Sequence, residues 1–151
     1  MGSFIITIGN PNIPENKWPE FQANIIHIMD IGGMMQLEEV RMFDKSALLL
    51  DKVKYDEEYK CYWANYNYLE DDRWEDMGIN PKTRRVFSNK VGWSTFNRVT
   101  GLCHMLEELY SDGQCFVGGD LYLEPLEMVI WINKEFGKDF NLDHRLDIQN
   151  A

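Results

Sequence analysis

The sequence predicts an α+β fold: a single domain over residues 1–151, with an antiparallel or mixed β-sheet and two to three helices packed on one face. Three observations carry that expectation. Runs rich in β-branched and aromatic residues gather in the first half. Two well-punctuated helical stripes occupy the second half. No repeat, low-complexity linker or compositional break divides the 151 residues.

Phe4 to Ile8 is a strand candidate, closed by Gly9-Asn10-Pro11. Pro11 and Pro14 hold the next residues in a loop, and Pro19 suits the first turn of a helix. Trp18, Phe21, Ile25, Ile28 and Met29 share one helical face. The β-branched run around His27 also fits a strand, and Gly32-Gly33 ends the element in either case. Two short strands are expected next, Gln36 to Phe43 and Ser46 to Val53, with Asp44-Lys45 turning between them. Tyr59 to Leu69 alternates more clearly. Tyr62, Ala64, Tyr66 and Tyr68 share one face and Cys61, Trp63 and Leu69 the other, so one face packs and one stays partly wet.

Gly78 to Lys82 is expected to turn, followed by a short strand at Arg84 to Phe87. Ser94 caps the clearest helix, whose stripe runs through Phe96, Val99, Leu102, Cys103, Leu106, Leu109 and Tyr110 and stops at Ser111-Asp112-Gly113. Gly101 within it costs about 1 kcal/mol against Ala, which implies a close backbone approach. Cys115 to Val117 forms a strand before Gly118-Gly119. A last helix runs from Pro125 to Phe136 and ends at Gly137. Phe140, Leu142, Leu146 and Ile148 tie the tail down.

Composition sets the functional limits. Hydrophobic residues make up 44% of the chain, enough for a core without disulfides or metal. Cys61, Cys103 and Cys115 form no CxxC pair, and the opening residues lack a basic n-region. A reducing cytoplasm is therefore expected, and no apolar run is long enough to span a membrane. The net charge of −10 disfavours direct contact with nucleic acid or anionic lipid and favours a basic protein partner. Solubility alone is an ordinary cause of such a charge. Met77 to Met105 carries no acidic residue and five basic ones, so internal pairing of the two signs is an equal alternative.

Chemistry is sparsely signalled. The helical residues His27 and Asp30 lack further metal ligands, Cys103 and His104 are adjacent and so diverge on a helix, and His144 sits in a polar tail. No HExxH, phosphate-binding glycine loop or GxSxG is present. Paired carboxylates such as Glu107-Glu108 are too numerous to single one out. No catalytic residue, metal or cofactor is expected.

What survives is the stretch from Tyr55 to Asp76. Seven aromatic rings and eight carboxylates fall within it, against only Lys60 and Arg73. Such rings either fill a sheet face under the helices or form an exposed docking platform. The candidate partner-binding residues are Tyr62, Tyr66, Tyr68 and Trp74, rimmed by Glu70, Asp71, Asp72, Glu75 and Asp76.

By its size, its negative balance and the Glu70-Asp71-Asp72-Arg73-Trp74-Glu75-Asp76 cluster, the chain resembles immunity proteins of bacterial polymorphic-toxin and contact-dependent growth inhibition systems. It shares no signature motif with them. The resemblance implies binding to a toxin domain, often a basic nuclease, and blocking of its active site or substrate groove. Two other functions compete. One is a small enzyme or ligand-binding domain with a pocket between the sheet and the 94–110 helix, where His104 or His27 meets a carboxylate. The other is a nucleic-acid mimic carrying carboxylates at phosphate-like spacing.

Overall fold

The computed structural model describes residues 4–43, 53–66, 75–89 and 95–149. The fold is α+β. In chain order the elements are β1 (Ile5–Gly9), α1 (Trp18–Phe43), β2 (Lys54–Asp56), β3 (Cys61–Tyr66), β4 (Glu75–Asn80), β5 (Arg85–Ser88), α2 (Thr95–Tyr110), β6 (Cys115–Gly119), α3 (Pro125–Phe136) and α4 (Asp143–Gln149). The strands form two antiparallel sheets, a β1–β6 ribbon and a β2–β3–β4–β5 meander.

Helix α2 is the axis of the molecule. It packs on α1 and α3 and on strands of both sheets. All but one of its residues from Asn97 to Tyr110 are buried, polar ones included. Phe21, Ile25, Ile28 and Met29 of α1, Met128 and Ile132 of α3, and Met77 and Ile79 of β4 close around it. At Gly101 side chains, not a second backbone, come close: a Cβ there would stand 3.3 Å from the tips of Leu121 and Met128. Tyr110 ties the helical layer together. Its hydroxyl donates to Glu20 (2.9 Å), which also accepts from Lys138 (2.8 Å), and burial with the Glu20 contact pushes the phenol up to about 12.

The helix at Pro125–Phe136 forms as expected, with Pro in its first turn and Gly137 in the left-handed conformation at its end. Three expectations are corrected. Helix α1 does not stop at Gly32-Gly33, and the strand expected over Gln36 to Phe43 is the rest of the same helix. Two glycines cost about 1 kcal/mol each, and Leu, Met, Gln, Glu and Arg on the C-terminal side are strong helix formers. Gly78 lies within β4 and does not turn; the turn comes at 81–84. The expected strand from Ser46 to Val53 lies outside the described residues up to position 52, as does Ser94.

The two sheets meet without a strand ladder. Between β5 and β1, side chains supply the bonds. Glu107 Oε2 accepts from the Val86 amide (2.8 Å) and Oε1 from the Thr7 hydroxyl (2.5 Å). The Ser88 hydroxyl donates to the Ile5 carbonyl (3.1 Å). On the opposite parity of β1, Phe4, Ile6 and Ile8 are exposed. No helix among the described residues is long and apolar enough to cross a membrane.

Candidate functional site

The side-chain parity of the meander determines what its outer face presents. Ala64 pairs with Met77 and Tyr62 with Ile79, and these four face the core. Trp63, Gly78 and Phe87 form the next cross-strand row and face outward. Gly78 contributes no side chain to that row. A Cβ there would strike the Tyr62 carbonyl, lie 2.6 Å from the Phe87 ring and 2.9 Å from Trp63 Cβ. The glycine lets Phe87 lean across the sheet toward Trp63, which makes an aromatic floor.

The two hairpin turns that end this face share one design. Asp56 Oδ1 accepts from the amides of Glu58 (2.8 Å) and Tyr59 (2.9 Å), and Lys60 follows at φ 56°. Asn80 Oδ1 accepts from Lys82 (2.8 Å) and Thr83 (3.1 Å), and Arg84 follows at φ 59°. In each case a side-chain amide or carboxylate mimics the backbone of a turn and so fixes the strand end. Tyr59 is 69% exposed at the tip of the first turn.

Together these residues bound an open concavity of about 480 Å³, lined by Asp56, Tyr59, Cys61, Trp63, Asp76, Asn80 and Phe87. Its electrostatics are acidic. Burial raises the Asp76 carboxyl, opposed by a hydrogen bond from Asn89 (2.5 Å). Burial also raises the Cys61 thiol, and the charges of Asp56 and Asp76 push it the same way. The two cations of the same strand parity, Lys54 and Arg85, do not line the concavity, and Arg85 is drawn to Asn10 (2.9 Å).

The structure distributes the sequence-derived site residues unequally. Asp76 lies in the concavity. Tyr62 is on the core-facing parity, half-buried, with its ring 5.0 Å from that of Tyr55. Tyr66 and Glu75 are register partners at the far ends of β3 and β4. Tyr68, Glu70, Asp71, Asp72 and Trp74 lie outside the described residues. The sequence reading missed Trp63, Tyr59, Phe87 and Asp56 as a group. The available signal was Ala64, a small residue suited to lie beneath a helix, which turns Trp63 outward.

A second polar constellation is buried. His104 Nδ1 meets the Thr7 hydroxyl (2.7 Å) and Nε2 the Ser88 hydroxyl (3.0 Å), while Thr7 also bonds Glu107. Burial holds the imidazole neutral, at about 4. The ring is 3% exposed and lines neither this concavity nor a second one of about 350 Å³ beside Leu109 and His144. His27 meets Glu135 (2.9 Å) at the surface. A histidine meets a carboxylate at His27–Glu135 on the surface and at His144–Glu108 (2.6 Å) beside the second concavity, whereas His104 reaches Glu107 only through Thr7. Among the described residues no group of three or more His, Cys, Asp or Glu is placed to hold a metal ion. No family model, curated protein or solved structure matches the chain.

Proposed function

We propose that this chain is an acidic binding protein that docks a basic protein domain on the outer face of the β2–β5 meander and neutralises it, as the immunity proteins it resembles do. In this reading it acts in a bacterial cytoplasm, where its three free thiols stay reduced. One observation carries the reading: a concave face with Tyr59, Trp63 and Phe87 exposes aromatic area beside Asp56 and Asp76, without a lining cation among the described residues. Rings of this kind supply affinity at low entropic cost, and the charge of −10 draws a basic partner in.

The test is affinity capture with the immobilised chain, its Trp63→Ala form and its Asp76→Asn form, at rising salt. The unaltered chain retains a basic protein that salt releases, and Trp63→Ala loses about 2–4 kcal/mol of binding. Retention that both variants leave unchanged contradicts the reading.

A further inference from the structure

The shape of the concavity specifies more than a basic surface. We infer that it is a socket for one arginine side chain of the partner, laid over the Trp63 and Phe87 rings with its guanidinium on the Asp76 carboxylate. This rests on the docking reading and names the group that anchors it.

The argument begins with the layout of the trough. Asp76 and Asn80 lie on the same parity of β4, four residues and so about 13 Å apart. The Trp63–Gly78–Phe87 row runs between them. The trough thus has an aromatic floor, a carboxylate at one end, and the Asp56–Tyr59 turn with Asn80 at the other. A long apolar stem with a cationic head matches that order of surfaces.

The two carboxylates are not equivalent. Asp56 is committed through Oδ1 to two amides of its own turn. Asp76 accepts from Asn89 through Oδ1 and is half-buried, so water solvates it poorly. A desolvated carboxylate gains more from an incoming cation than an exposed one does. Both acids act on the Cys61 thiol, whose rise burial dominates.

Arginine fits better than lysine for a geometric reason. A guanidinium is planar and weakly hydrated, so it stacks on rings while its N–H edge binds a carboxylate. An ammonium needs acceptors on three sides, and here rings and a thiol occupy most of the wall.

The experiment titrates the isotopically labelled chain with N-acetyl-L-arginine methylamide and with its lysine and citrulline counterparts, observed by NMR. Trp63 indole is assigned from Trp63→Phe, and the Asp76 carboxyl is followed through pH. The arginine probe is expected to shift the Trp63 indole saturably and to lower the Asp76 titration midpoint. Citrulline, the same shape without charge, is expected to bind about tenfold more weakly, and lysine several-fold more weakly. Asp76→Asn, which keeps an acceptor for Asn89, is expected to weaken the arginine probe about tenfold. Equal binding of citrulline or lysine overturns the socket, as does a response that avoids Trp63 or survives Asp76→Asn unchanged. If the probe behaves as expected while no basic protein is captured through this face, the docking reading falls and the socket stands. If a basic protein is captured through Trp63 but arginine shows no preference, only the socket falls.

Discussion

Glu107 and Glu108 are consecutive on α2 and wholly buried, and they fasten different parts of the fold. Glu107 reaches Thr7 of β1 and Val86 of β5 and so bridges the two sheets. Glu108 accepts from the Val117 amide (2.7 Å), from His144 (2.6 Å) and from both Arg145 Nε (2.8 Å) and Nη2 (2.7 Å). The short helix α4 is held to the core by this carboxylate.

Arg145→Ala leaves Glu108 buried with one strong cationic partner removed. Breaking a buried pair from one side costs about 3–5 kcal/mol, and the loss is read from urea unfolding. Arg145→Lys is expected to recover only part of it, because an ammonium cannot reproduce the two-pronged contact.

His104 and Glu107 give stability opposite dependences on pH. The folded His104 sits at about 4 against 6.5 for an ordinary imidazole, so the folded chain binds fewer protons. Its contribution is complete above pH 6.5 and is lost as pH falls from there through 4, about 3 kcal/mol over the span. Burial raises Glu107 despite the Thr7 and Val86 bonds and the charge of Arg85. Its contribution is complete below the ordinary value of 4.5 and is lost as pH rises through the raised one. Urea midpoints measured from pH 4 to 8 are expected to lose their acid limb in His104→Asn and their decline toward higher pH in Glu107→Gln.

The three cysteines are buried and free, and burial raises each thiol: Cys61, Cys103 well above its ordinary value, and Cys115 to about 11. A disulfide reagent at pH 8 is expected to leave the native chain essentially unlabelled and to modify three thiols once it is unfolded.

Gly78→Ala tests the construction of the site. The added methyl meets the Tyr62 carbonyl and the Phe87 ring in the middle of β4. It is expected to destabilise the fold by about 1–3 kcal/mol in urea unfolding and to displace Phe87 from the floor.

Much of this architecture is legible in the sequence because local signals and burial agree. The α2 stripe, the Pro125 start and Gly137 stop of α3, and the β-branched run of β1 all reflect periodicity or punctuation that tertiary contacts reinforce. In each failure one sign in the sequence is overruled by its surroundings. Gly32-Gly33 reads as a stop, yet the helix formers beyond it carry α1 on. Gly78 reads as a turn because the value of an empty position between Trp63 and Phe87 appears only once three strands are in register. The antiparallel pairing of β1 with β6 joins residues more than a hundred positions apart, and no local pattern announces it. The Tyr55–Asp76 stretch supplies Asp56, Tyr59, Cys61, Trp63 and Asp76 to the concavity, but Tyr62 and Trp63 face opposite ways, and the choice between them depends on which parity meets the core. Glu107-Glu108 looked like one carboxylate pair among several, since the burial that distinguishes it is a property of the whole fold.

The outer face of the meander as a docking surface is best examined through Trp63. Calorimetric affinity for a captured basic protein, measured for the unaltered chain and for folded Trp63→Ala at two salt concentrations, addresses it directly. The account predicts a loss of about 2–4 kcal/mol in the variant and weaker binding at the higher salt for the unaltered chain. Equal affinities for the two chains, with no response to salt, would contradict it.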